Sequence, residues 1–122
     1  MNHQQRTELA ALCRSIRWDA DMASYSTFRT GGVVEAMVEV VEMGELSALL
    51  RWLQQEQTPW HVIGGGSNIL VTGRYHEGVF IRLRGSIQDI LLESTDADAA
   101  DEDVRVRVHA GCSLAAFLGW CV

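Results

Sequence analysis

The sequence predicts an α+β domain in which helices flank a small mixed sheet, and three observations carry that prediction. Apolar residues alternate along 33–42, recur with helical spacing along 44–57, and return as a short run at 60–63. Helical periodicity also brackets the chain at 4–16 and from 113 onward. Short β-branched runs at 79–83 and 104–110 supply further strands.

Taken in order, "QQRTELAALCRSI" (4–16) places Leu9, Leu12, Cys13 and Ile16 at i, i+3, i+4 and i+7, one face of an amphipathic helix. "RWDADMASYSTFRTGG" (17–32) is polar and rich in turn formers. "VVEAMVEVVE" (33–42) puts Val34, Ala36, Val38 and Val40 on one face and Glu35, Met37, Glu39 and Val41 on the other, the pattern of a half-buried strand. "GELSALLRWLQQEQ" (44–57) carries a helical stripe of Leu46, Leu49, Leu50 and Leu53. Pro59 prevents continuation, and "WHVI" follows as a short strand. Strand, helix and strand in so few residues form a βαβ unit, with parallel strands and a right-handed crossover.

Beyond the glycines at 64–66, "NILV" (68–71) reads as another short strand, "GRYHEG" as a turn and "VFIRL" (79–83) as a strand. "SIQDILLES" is expected to pair with "VRVRVHA" (104–110) across the solvated acidic loop "TDADAADED". That loop lacks both the spacing and the glycine of a calcium-binding EF-hand. Ser113 is placed to cap a final apolar helix, "LAAFLGWCV", which no terminator closes, so the chain is expected to be truncated.

Composition narrows the function. With 122 residues, 48% of them hydrophobic and 21% charged, the chain suits one globular domain or part of a larger one. No apolar run approaches a membrane span, and the N-terminus has no secretory h-region, so a soluble, cytoplasmic protein is expected. A net charge of −6 argues against nucleic acid as partner. All ten basic residues are arginines, which excludes a Walker-type loop and a Schiff-base lysine within this stretch. Cys13, Cys112 and Cys121 are widely spaced, so zinc and a disulfide framework are not expected and each thiol reads as a small buried hydrophobe. His3, His61, His76 and His109 show no ligand spacing, and no metal site is expected.

The run "WHVIGGGSNILV" (60–71) is the strongest local signal. A dinucleotide fingerprint G-x-G-x-x-G would need glycine where Ile69 stands, and a helix after it. Two readings remain. One is an anion-binding nest of backbone N–H groups, with Ser67 and Asn68 as side-chain donors. The other is an ordinary glycine-rich loop.

Two stretches in order widen the argument. "YSTFRTGG" (25–32) followed by "VIGGGSNILV" (62–71) resembles the N-terminal part of the UDP-N-acetylenolpyruvoylglucosamine reductase family. "GVFIRL" and "VRVHAGCSLAAFLGWCV" follow in that family's order, so the resemblance runs from about residue 20 to the end. It implies the first lobe of an FAD-binding domain of the vanillyl-alcohol-oxidase/PCMH type over 21–122, after a helical lead-in at 1–20. It implies FAD as cofactor, with its pyrophosphate over Gly64, Gly65, Gly66, Ser67 and Asn68 beside Ile63. Ala110 and Gly111 would pass close to it, and Thr30 to Gly32 would lie on the cofactor side. The family uses NADPH to make UDP-N-acetylmuramate for peptidoglycan, a UDP-sugar substrate bound by domains beyond this chain. The family's later glycine-rich stretches, its proton-donating serine and its late glutamate have no counterpart in 1–122, so no catalytic residue is assigned and the fragment alone is expected to be inactive. Self-association through apolar surface meant for the second lobe is also expected. Two alternatives stay open: another flavin-dependent oxidase or dehydrogenase of the same fold, and a cofactor-free α+β interaction domain.

Individual side chains add little. Arg29 would meet a phosphate or pin its turn. Arg82 and Arg84 read as a solvated strand face, Trp18, Trp52 and Trp120 as core or interface anchors, and Glu35, Glu39, Glu42 and Glu45 as exposed.

Overall fold

The structure, a computed structural model, describes residues 1–25, 31–64, 72–93 and 104–122. Helix α1 (His3–Leu12) opens on a capping box: the Asn2 side chain accepts the Gln5 N–H while the Gln5 side chain accepts that of Asn2. It ends four residues earlier than its periodicity predicts, because Ser15–Asp21 forms strand β1. Ile16 satisfies the helical stripe at i+7, but it also starts a period-two set, Ile16, Trp18 and Ala20, whose side chains are the less exposed ones of the strand. Antiparallel pairing with the next strand, from Ser15 opposite Glu39 to Asp21 opposite Val33, decides the outcome. A stretch that reads as polar turn is therefore a sheet strand, followed by a 3-10 turn at Met22–Ser24.

Strand β2 (Val33–Val40), helix α2 (Met43–Gln55) and strand β3 (Trp60–Ile63) appear as the pattern predicts. Strand β4 spans His76–Leu83, so the turn before it is shorter than "GRYHEG" implies. The sheet order is β1-β2-β4-β3, with β4 parallel to both neighbours. Strands β2 and β3 thus run parallel, as a βαβ unit requires, but β4 lies between them. Strands β5 (Ile90–Leu92) and β6 (Val106–Val108) pair antiparallel as a separate ladder, and α3 (Leu114–Trp120) starts at Ser113, whose hydroxyl accepts the Ala116 N–H. None of the helices among the described residues is long and apolar enough to cross a membrane.

Both faces of the sheet are covered. Leu9, Leu49 and Leu53 from the two long helices meet Ala36, Val38, Val40, Val79 and Ile81 on one face. Ala20, Met22, Val34, Met37, Ile63 and Phe80 pack on the other. Strand β2 is consequently central and almost wholly buried instead of half-buried, and Met37 is a core residue.

Glu35 shows the consequence most sharply. Expected on an exposed face, it is only 3% exposed. Its carboxylate accepts from the Met1 ammonium at 2.6 Å, the Gly78 N–H at 2.9 Å and Arg6 at 3.3 Å. The pairing of β2 with β4 shifts between Val34 and Ala36, leaving an extra β4 residue around Gly78, which turns its N–H onto the carboxylate.

Candidate functional site

Because β3 and β4 are parallel, their C-terminal ends meet at one end of the sheet, with Ile63 beside Arg82. Strand β3 leads into Gly64, and β4 into Arg84 and a 3-10 turn at Gly85–Gln88. The β5–β6 ladder brings the chain back to this end. The Gly111 N–H donates to the Ile87 carbonyl at 2.9 Å, and the Cys112 N–H donates to His109 at 3.0 Å. His109 itself is fixed through Nδ1 to the Ser86 carbonyl at 2.9 Å. Between these segments lies a cleft of ≈ 190 Å³ lined by Ile63, Gly64, Ala110 and Gly111, with Arg82, Arg84 and Cys112 around them.

Four residues singled out in the sequence, Ile63, Gly64, Ala110 and Gly111, therefore share one cleft although nearly fifty positions separate the two pairs. Gly65, Gly66, Ser67 and Asn68 lie outside the described residues, as do the 68–71 strand, Arg29, Thr30 and the acidic loop. Gly31 and Gly32 are at the opposite end of the sheet. A side chain at Gly32 would run into the Arg74 backbone, just before β4, while the cleft begins at Arg82. At about 3.3 Å per strand residue, the two places are roughly 20 Å apart.

The two glycines of the cleft differ in kind. A Cβ on Gly111 would meet the Ile87 carbonyl at 2.9 Å and Leu83 at 3.0 Å, so its smallness serves close backbone packing. Among the described residues, a Cβ on Gly64 would have nothing within 4 Å, so no described atom requires its smallness.

Arg82 and Arg84 correct the expectation of a solvated face. Both are half-buried and border the cleft, and the Arg82 side chain is 23% exposed. Arg82 faces Glu39 across the β2–β4 register, with 3.7 Å between guanidinium and carboxylate. The signal for this was in the sequence: two arginines at i and i+2 closing a strand, in a chain without lysine. What it lacked was the knowledge that this strand end adjoins Gly64. Two arginines, planar and permanently charged, line the same cleft as Gly64, a composition that suits a diphosphate, which guanidinium recognises by paired hydrogen bonds. The cleft is smaller than the roughly 300 Å³ at which whole-ligand pockets begin, so it fits one portion of a larger molecule.

The thiols also divide. Cys13 is buried, and that burial, with the nearby charge of Glu45, pushes it up to about 12. Cys112 is half-buried at the cleft and Cys121 is exposed, so the expectation of three buried thiols holds for Cys13 alone. Among the described residues no group of three or more His, Cys, Asp or Glu side chains could hold a metal ion. His61 is exposed and stands edge-on to Phe80, with ring centroids 5.2 Å apart.

Residues 34–121 match the family described as FAD binding domain. The chain is 33% identical over 99 residues to UDP-N-acetylenolpyruvoylglucosamine reductase 2 of Symbiobacterium thermophilum, covering 81% of this chain and 29% of that protein. It is 30% identical over 108 residues to the UDP-N-acetylenolpyruvoylglucosamine reductase of Syntrophus aciditrophicus, covering 88% and 33%. A crystal structure of UDP-N-acetylenolpyruvylglucosamine reductase from Thermus caldophilus superposes with a TM-score of 0.46 at 27% identity, over 62% of this chain and 24% of that one. The chain spans about a third or less of the length of the curated relatives it matches.

Proposed function

The chain belongs to the FAD-binding-domain family, and from that premise we propose that it binds the diphosphate of FAD in the cleft between β3, β4 and the Ala110–Ser113 segment. The observation that carries this reading is that Gly64, Ala110, Gly111, Arg82 and Arg84 line one cleft. Gly65, Gly66, Ser67 and Asn68 would continue the donor set from Gly64, and Ile63 would form an apolar wall beside it. Residues 1–20 are no purely helical lead-in, since they form helix α1 and most of strand β1 of the same sheet, and 21–122 would be the first part of the cofactor domain.

The wider proposal is an NADPH-dependent reductase converting UDP-N-acetylenolpyruvoylglucosamine to UDP-N-acetylmuramate for peptidoglycan, acting in the cytoplasm. FAD, when bound, supplies the hydride chemistry between NADPH and the enolpyruvyl group. The part of this chain is to bind and orient: Arg82 and Arg84 neutralise the diphosphate, and Gly64 allows it to approach the backbone. Residues 1–122 contribute no proton donor in this proposal, and the UDP-sugar is held by further domains. Alone, the chain would be inactive and prone to self-association.

The three thiols test the cleft directly. With FAD at ten times its Kd, alkylation of Cys112 by iodoacetamide is expected to slow by about tenfold, as occupancy dictates. Cys121 should react at the same rate with and without FAD, and Cys13 hardly at all. Mass spectrometry of the labelled peptides reads all three at once. Unprotected Cys112 in a chain that retains FAD would move the cofactor out of this cleft. Replacing Arg84 by alanine is expected to weaken FAD binding by roughly tenfold to a hundredfold, the value of a charge-assisted hydrogen bond. The Arg84 N–H, which donates to the Val40 carbonyl at 2.8 Å, is untouched by that change. A wild-type Kd in Arg84→Ala, measured by fluorescence titration of FAD, would remove this residue from the site.

A further inference from the structure

Ala110 and Gly111 reach the cleft as the two central residues of a tight turn. The His109 carbonyl accepts the Cys112 N–H at 3.0 Å, so His109 and Cys112 are the outer residues of that turn. Three hydrogen bonds tie it to carbonyls of the segment 86–89 that follows β4. The His109 N–H donates to Asp89 at 2.9 Å, the Gly111 N–H to Ile87 at 2.9 Å, and His109 Nδ1 to Ser86 at 2.9 Å. A carbonyl oxygen can only accept, so Nδ1 carries a hydrogen. Segment 86–89 is itself fixed at the end of β2, where the Val41 carbonyl accepts the Ser86 N–H at 3.2 Å and the Ser86 hydroxyl at 2.8 Å.

Two of the three bonds are main-chain and would form with almost any residue at 109. The third depends on the imidazole, which is half-buried, and among the described residues it is the only side-chain hydrogen bond between the two segments. We propose that His109 is a positioning residue for the ligand of this cleft: its imidazole clamps the 109–112 turn, so that Ala110 and Gly111 stand as a formed wall before the ligand arrives. This rests on the reading of the cleft as the diphosphate site of FAD. A wall in place only part of the time weakens apparent affinity by that fraction, and the worth of the clamping bond sets the limit of the loss. One neutral hydrogen bond is worth about twofold to tenfold in an equilibrium. The same turn ends on Cys112, whose half-buried thiol reports its opening without any FAD.

The test compares wild type, His109→Leu and His109→Asn by fluorescence titration of FAD, and by iodoacetamide alkylation of the three thiols without FAD. Leucine keeps the bulk and loses the donor. The asparagine amide nitrogen hangs from Cγ as Nδ1 does, and its N–H can donate to Ser86 in the same way. His109→Leu is expected to bind FAD roughly twofold to tenfold more weakly and to alkylate faster at Cys112. His109→Asn should stay close to wild type in both measurements. Cys13, buried in the core, separates a moved wall from a loosened domain, because its slow rate should not change. An unchanged Kd or an unchanged Cys112 rate in His109→Leu, no rescue by asparagine, or equal acceleration of Cys13 and Cys112 would overturn the positioning role while leaving the cleft assignment standing. Failure of the wild-type chain to bind FAD would remove the cleft assignment and this role with it.

Discussion

Replacing Gly78 by alanine is expected to destabilise the chain by about 3–5 kcal/mol, a large part of the stability of a domain this size. Two effects add. Gly78 has φ +95°, a backbone conformation that costs a residue with a Cβ roughly 1–3 kcal/mol. The new Cβ would also be driven into the Pro59 carbonyl oxygen. That carbonyl cannot simply retreat, because it accepts the Val79 N–H at 2.9 Å where the chain enters β3. Relieving the clash means separating the start of β3 from β4, the pairing that also aligns the two strand ends of the cleft. Chemical denaturation followed by circular dichroism measures the loss. A change below about 1 kcal/mol would mean that the bulge adapts without strain.

Glu35→Ala is expected to cost a similar amount, about 3–4 kcal/mol, because it strands buried partners. The side chains of Met1 and Glu35 are 2% and 4% exposed. Removing the carboxylate leaves the terminal ammonium and the Gly78 N–H without their acceptor. The Arg6 contact is partly in water and contributes little. Glu35→Gln, which keeps an oxygen for Gly78, should lose less. The pH dependence has a definite sign. Burial alone would raise the Glu35 pKa, but the hydrogen bond and charge of the terminal ammonium, the Gly78 N–H and Arg6 outweigh it and hold it below the ordinary carboxylate value. The folded state therefore gains stability from ionised Glu35 above the unfolded carboxylate pKa. It loses that gain as pH falls through the lower folded value. The difference between wild type and Glu35→Gln should be constant near neutrality and shrink below about pH 4. A difference that grows on acidification would reverse the assigned sign. Gly78 and Glu35 share one hydrogen bond, so the double variant should lose less than the two singles added together.

The same pair shows why part of this fold was legible in the sequence and part was not. Helix α2, strand β3 and the Ser113-capped α3 rest on spacing within one segment, which the residues display openly. Strand β1 was hidden because Ile16 fits both a helical and an alternating pattern, and only pairing with β2 chooses between them. Glu35 alternates with valines, as an exposed strand residue does. Nothing local announces an ammonium 34 positions away or a second packed layer over that face. At the cleft, Ile63, Gly64, Ala110 and Gly111 were legible through the order of their motifs. Arg82 and Arg84 were not, because an arginine at a strand end looks solvated until its neighbour is known.

By itself, the sequence determined the local units, their caps and the glycine run that leaves β3, because backbone preference and side-chain periodicity act over a few residues. Tertiary structure alone decided that β4 enters between β2 and β3, that Gly111 is small to pack on Leu83 and Ile87, and that two arginines border the same cleft as Gly64. Strand order and register are set by burying both faces of the sheet at once. That condition spans the whole chain, so no window of residues contains it.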